Sequence, residues 1–277
     1  MKIIKSLMIL CLLTSITTTH LSAQFLADYP IKEIEPAKLI ATYSLLYQED
    51  SLPPHFTRQE DMILLLGNTM SLFVSKVGYS NELHLREIYS MEQFQQWVNT
   101  VPPLARISYR IYKKFPKDHL TFTHTVNTIP MKYEEPLDQF DWQLSADTAT
   151  IAGYLAQKAT TNYGGRQWVA WFTPEIPEND GPYKFYGLPG LIIKIYDTHH
   201  HYVFELLEIT QPKEKGMIEY LEQDFTVTNK QKYFKAIDAH NASLVSWVKE
   251  KGGDDKVQQS AARVSGERNN PIELKRD

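Results

Sequence analysis

The sequence predicts a mainly β fold, an antiparallel curved sheet of the unclosed-barrel or sandwich kind, with a short helix near 91–99 and a C-terminal amphipathic helix near 229–250. Three observations carry that prediction. Short runs of β-branched, aromatic and alternating residues recur along the chain. Gly, Pro, Asn and Asp punctuate them at the spacing of sheets built from hairpins. Helical spacing of apolar residues is sustained only in 229–250, through Tyr233, Phe234, Ile237, Leu244, Val245 and Trp247.

Residues 1–23 match a secretory signal peptide. Lys2 and Lys5 precede an apolar run over 7–13, and Leu21-Ser22-Ala23-Gln24 offers a small-residue cleavage site after Ala23. The apolar run breaks at Thr14 and Ser15, short of the roughly 20 residues a membrane span needs. Cleavage leaves a chain starting at Gln24, with formal charge −6 in place of −4 and without Cys11, the only cysteine. Such a chain has no thiol for a disulfide, a nucleophile or a metal, and no basic excess for nucleic acid. One β-rich domain over 24–250 follows. The segment 251–277 is polar and almost free of aromatics, which predicts a loosely ordered tail.

In order, the strand signals are 39–47, then 62–66 and 70–74 as a hairpin around Gly67-Asn68, then 107–115, 120–126 and 129–133. Phe94 and Trp97, three apart and followed by Pro102-Pro103, mark the short helix. Ser145-Ala146-Asp147-Thr148 reads as a turn, and 150–161 as one strand with a bulge at Gly153. Gly164-Gly165 turns the chain into 167–172, and 191–196 with 202–209 form a hairpin closed at 197–201. Eight to ten strands result.

The run 181–193 is the least ordinary stretch. Gly187, Leu188, Pro189, Gly190, Leu191 and Ile192, followed by Ile193, form a bent backbone that passes straight into an apolar strand. With Ile151-Ala152-Gly153-Tyr154, Gly165-Arg166, Ala170-Trp171-Phe172-Thr173-Pro174-Glu175-Ile176-Pro177 and the ending Asn270-Pro271-Ile272-Glu273-Leu274, it resembles the GLPGLI family of Bacteroidetes-type secreted or periplasmic proteins. The resemblance covers most of the chain after the leader and implies an exported cell-envelope protein, without implying a reaction. Leu155 stands where many members carry a cysteine. In this reading the motif is a folding device: the glycines permit positive φ or close packing near Trp171, and Pro189 marks the start of a strand.

Candidate sites each have two readings. Trp168, Trp171, Tyr183, Phe185 and Tyr186 either line an apolar ligand site or fill a core. His199 and His201 could share an ion across one strand face, but a tight turn supplies no third ligand, so no metal and no cofactor are assigned. Glu175, Glu178 and Asp180, near Arg166 and Lys184, read either as paired carboxylates for acid-base chemistry or as solvated acids of a proline-rich loop. No nucleophile elbow, zinc-protease helix or phosphate loop occurs, and no catalytic residue is assigned. Asp50-Ser51-Leu52 and Asp147-Thr148-Ala149 resemble short O-glycosylation sites of such bacteria, and Asn241-Ala242-Ser243 is a formal sequon inside the expected helix.

The function expected is a non-catalytic envelope protein that binds a lipid or apolar peptide, or serves as accessory to an outer-membrane transporter. A hydrolase using the acids of 175–180 is the alternative.

Overall fold

The computed structural model describes residues 30–48, 57–100, 102–212, 216–250 and 270–276. The leader, the 50–52 site and 251–269 lie outside the described residues. Fourteen strands form: β1 (Ile31–Pro36), β2 (Leu39–Tyr47), β3 (Arg58–Leu66), β4 (Ser71–Ser75), β5 (Arg110–Lys113), β6 (His119–Val126), β7 (Ile129–Pro136), β8 (Gln143–Ile151), β9 (Tyr154–Tyr163), β10 (Arg166–Thr173), β11 (Leu191–Asp197), β12 (Tyr202–Thr210), β13 (Met217–Leu221) and β14 (Thr226–Val227). The helices are α1 (Lys76–Arg86), α2 (Met91–Asn99) and α3 (Lys230–Glu250).

Twelve strands make one sheet in the order β14-β7-β6-β5-β4-β3-β2-β12-β11-β10-β9-β8. It consists of two antiparallel meanders, β2 to β7 and β8 to β12, joined where β12 pairs with β2 from Tyr202↔Tyr47 to Thr210↔Ile40, with β14 added parallel to β7 at one edge. Ten strand spacings separate β7 from β8, about 48 Å if the sheet were flat. Yet only residues 137–142 connect them, which reach at most about 25 Å. The sheet must therefore curl until its two ends approach each other.

Alternation along the strands divides the apolar residues between two faces. Met62, Leu64 and Leu66 join the large inner core, with Tyr43, Phe122, Trp168, Ile193 and Phe204. Ile63 and Leu65 join a smaller outer cluster with Leu72, Val74 and Tyr112, covered by Ile218 of β13, which pairs with β1 as a two-stranded layer. Helix α3 reaches the inner core through buried Tyr233, whose ring lies 5.2 Å from Phe122 and 5.3 Å from Tyr133.

Several expectations are corrected. Residues 145–148 are not a turn but part of β8, the sheet's edge strand, where pairing slips between Leu144 and Thr148. Polar residues there face water because the edge is wet on one side. The turn is instead Ala152-Gly153, both at positive φ, which splits the expected 150–161 strand into β8 and β9. The hairpin at Gly67-Asn68 forms, and the Glu35 carboxylate accepts from the amides of Asn68, Thr69 and Met70 across it. Helix α1 was not foreseen because Lys76–Arg86 carries Gly78 and no apolar stripe; Ser75 caps it by accepting from the Gly78 amide. In α3 Tyr233 and Asn241 are buried, whereas Trp247 is exposed.

The motif's glycines differ in what holds them. At Gly190, φ is +149° and a Cβ would sit 2.2 Å from the Thr173 carbonyl oxygen, so only hydrogen fits where β10 and β11 converge. Gly153 also has positive φ, +85°, but its surroundings are open. Replacing Gly190 with Ala is expected to cost about 3 kcal/mol or more and to lower Tm by about 6 °C or more, whereas Gly153→Ala costs about 1 kcal/mol. Thermal unfolding of the two variants checks this, and equal losses would show that backbone φ alone, not the Thr173 contact, makes Gly190 necessary.

Candidate functional site

The inner face is occupied by the chain's own loop, residues 174–190, between β10 and β11. Its backbone is tied along its length. The Asn179 carbonyl accepts from Gly187, the Asp180 carbonyl from Ile192, and the Ile176 carbonyl from Leu191. The Tyr43 hydroxyl of β2 donates to the Ile192 carbonyl at 2.9 Å. Tyr183 holds φ +54°, an uncommon conformation for a bulky residue, in the middle of the loop.

Phe185 enters an aromatic nest. Its ring centroid lies 4.7 Å from Trp168, 5.5 Å from Phe140, 5.9 Å from Tyr163 and 6.1 Å from Tyr183. The structure thus brings together Trp168, Tyr183 and Phe185 from the expected ligand residues, all buried, and their rings fill the space between them. Trp171 and Tyr186 are half-buried. Tyr186 lies elsewhere, on a wide groove of about 1170 Å³ lined also by Lys114, His119, Phe140, Trp142 and Gly187.

Beside this nest the loop carries Lys184 into the interior. Its ammonium donates to Glu135 of β7, to Glu273 at 2.7 Å and to the Tyr133 hydroxyl at 3.0 Å. Lys230, in the first turn of α3, reaches Glu135 at 2.9 Å and Glu273 at 3.1 Å, so two cations balance two anions. The Tyr183 hydroxyl donates to Glu273 at 2.5 Å. Burial alone would raise the Glu273 pKa, but the Lys184 ammonium, followed by that of Lys230, overrides it and holds the carboxyl down to about 2. Burial likewise disfavours the Lys184 cation, and the field of Glu273, with Tyr163 and Glu135, reverses this and raises its pKa.

The acids of the loop do not assemble. Asp180 is buried against Lys113 at 2.5 Å and accepts from the Ser71 hydroxyl at 2.6 Å. Glu178 pairs with Lys38 at 2.7 Å, and Glu175 accepts from the Leu155 amide at 2.9 Å. Each serves a different neighbour. Arg166, the other cation noted beside them, pairs with Asp197 and donates to the Asn270 side chain at 2.6 Å and the carbonyls of Pro271 and Ile272. The rings of His199 and His201 stack 5.4 Å apart, and among the described residues no group of three or more His, Cys, Asp or Glu could hold a metal ion.

Residues 270–276 differ from the loose end expected of their composition. Asn270 and Glu273 are buried, held by Arg166 and by the two lysines. Sequence reasoning noticed this stretch as a family-like ending without giving it a role. It noted Lys184 only as a cation near the loop acids and passed over Glu135 and Lys230. The available signal was a lysine between Tyr183 and Phe185 in a loop bounded by Gly181 and Gly187.

Between the sheet, the start of α3 and residues 270–276 lies a cavity of about 260 Å³. Leu45, Ile107, Tyr109, Tyr233, Phe234 and Ile237 are among the residues of its wall. Tyr109 bridges the cavity to the filled nest, with its ring 5.7 Å from Tyr183. Among the described residues no helix is long and apolar enough to cross a membrane.

The fold is similar to that of PNGF-II. One crystal form of that protein superposes with a TM-score of 0.51 and is 14% identical, over 74% of this chain and 34% of that one. A second crystal form gives 0.47 and 15%, over 73% and 33%. This chain spans about a third of that protein's length, and the likeness is one of fold. A LolA superfamily protein from Nitrosomonas europaea superposes more weakly, with a TM-score of 0.28 and 9% identity over 66% of this chain and 89% of that one. No curated protein matches the sequence. A family profile described as a protein of unknown function (Porph_ging) matches residues 163–194, from the end of β9 through the loop into β11.

The ion network makes a pH prediction. Because the Glu273 pKa is depressed in the folded state, its stabilisation is present above the ordinary value of 4.5 and is lost as pH falls towards about 2. The Lys184 contribution is present below its ordinary 10.5 and is lost only at higher pH. Glu273→Gln is therefore expected to cost on the order of 3 kcal/mol at pH 7 and almost nothing at pH 2. Urea midpoints of both proteins across pH 2–7 test this; a constant difference across that range would contradict it.

Proposed function

We propose that the chain is an exported member of the GLPGLI family, a non-catalytic periplasmic or secreted envelope protein that holds a small hydrophobic ligand beneath α3. The observation that carries this reading is the cavity of about 260 Å³ with a mainly aromatic and aliphatic wall, left in a sheet whose inner face is otherwise filled by its own loop. The site so proposed differs from the nest of Trp168, Tyr183 and Phe185, whose rings occupy one another's space. A lipid chain or an apolar peptide side chain suits such a wall. The export reading rests on the leader pattern of residues 1–23.

A hydrolase gains no support from the loop acids, since Glu175, Glu178 and Asp180 are committed to separate partners. An accessory role towards another envelope protein has one favourable observation. Strand β8 is an edge strand, largely exposed, and could accept a partner strand.

Two measurements test the ligand reading. Mass spectrometry of an organic extract from protein purified from its native envelope without detergent is expected to show a stoichiometric apolar compound. A fluorescent apolar probe is expected to bind the stripped protein, and Ile237→Trp, which fills the cavity, should weaken it about tenfold or more. A clean extract together with unchanged probe affinity in Ile237→Trp would overturn the proposal.

A further inference from the structure

Resting on the cavity reading above, we infer that the ligand is a single-chain amphiphile with an anionic oxygen head group, read by Arg106 at the cavity wall. The inference comes from accounting for the charged and hydrogen-bonding side chains that line the cavity, where Tyr47 is engaged and the Tyr109 ring packs on Phe122 and Tyr183. Ser108, His124 and Tyr233 satisfy one another: one imidazole nitrogen lies 3.0 Å from the Ser108 hydroxyl and the other 2.8 Å from the Tyr233 hydroxyl. Asp238 is paired with Arg276 at 2.6 Å, and that guanidinium also lies 4.6 Å over the Phe234 ring. The Tyr202 hydroxyl donates to the Asn270 carbonyl, while the Asn270 side chain accepts from Arg166 and donates to the Gln48 carbonyl. Asn241 is engaged as well.

Arg106 remains. It lines the same cavity, and among the described residues no carboxylate lies within ion-pair distance of its guanidinium. Glu60, which touches the Arg106 backbone, is occupied: it accepts from the Ser75 hydroxyl and from the amides of Arg106 and Ile107. The Asp238–Arg276 pair is neutral, so Arg106 leaves the wall with a net positive charge. Its planar fork matches a carboxylate or a phosphate monoester bidentately. An apolar wall ending at one unmatched guanidinium fits a chain with one anionic end better than a neutral hydrocarbon or a cation. The volume, roughly nine waters at ~30 Å³ each, suits a medium-length chain.

Calorimetric titration with decanoate, decyl phosphate, decanol and decylamine, below their micelle concentrations, tests the inference. The anions are expected to bind about fivefold more tightly than decanol and decylamine more weakly still, a preference that shrinks with added salt. Decanoate above decyl phosphate, or the reverse, would tell a fatty acid from a phosphorylated head. Arg106→Gln should erase the preference without weakening decanol. Lys117→Gln, which removes the same charge at the β5–β6 turn, should leave it intact. Equal affinity for all four in the unaltered protein, or a preference that survives Arg106→Gln, would overturn the head-group inference while leaving the cavity reading standing. Binding of none of them would remove both.

Discussion

The structure depends on neutralising one ammonium. Lys184 is drawn into the interior by its neighbours Tyr183 and Phe185, and an isolated cation there would cost several kcal/mol. Glu135 comes from the sheet, Glu273 from 270–276 and Lys230 from α3, so three distant parts of the chain must converge before the loop can settle. Replacing such a network with apolar residues can be neutral for stability. Its contribution here is positional: only one placement of the loop, the helix and residues 270–276 leaves no charge unmatched.

Curvature and filling belong together. A connection as short as 137–142 forces the ends of the sheet towards each other, which creates a concave inner face too large for strand side chains alone. Residues 174–190 supply the missing volume. The same connection brings Phe140 against Phe185, so the segment that bends the sheet also helps to pack the loop inside it.

How much of this the sequence disclosed follows from what each residue looks like out of context. The mainly β class and α3 were legible because periodicity is local. Gly190 announced a constrained turn, although its partner, the Thr173 carbonyl oxygen, becomes visible only in three dimensions. Strands β1 and β13 were missed because IKEIEP and MIEYL are short and half polar, as a two-stranded outer layer can be. Lys184 stood out only as a cation near the loop acids and Glu273 only as part of a polar ending, because their matching spans 89 positions. Of the five aromatic residues grouped from the sequence, Trp168, Tyr183 and Phe185 meet while Trp171 and Tyr186 do not join them; whether such rings enclose space or consume it depends on where Phe185 points. Arg106 carried no signal, since what sets it apart is the pairing of the other charged groups around it.

The charge network and the cavity share an element. Lys230 fixes the first turn of α3 through Glu135 and Glu273, and Tyr233, one turn on, both packs on Phe122 and lines the cavity. On its other side the cavity is bounded by Pro271 and Ile272, which flank the residues that hold Arg166 and Lys184. The width of the cavity is therefore set by the ion pairs that seat the loop, not by the aromatic strand residues that first drew attention. The ion network and the cavity wall are neighbours along the first turns of α3 and residues 270–273, so a structural role for the loop and a functional role for the protein need not compete.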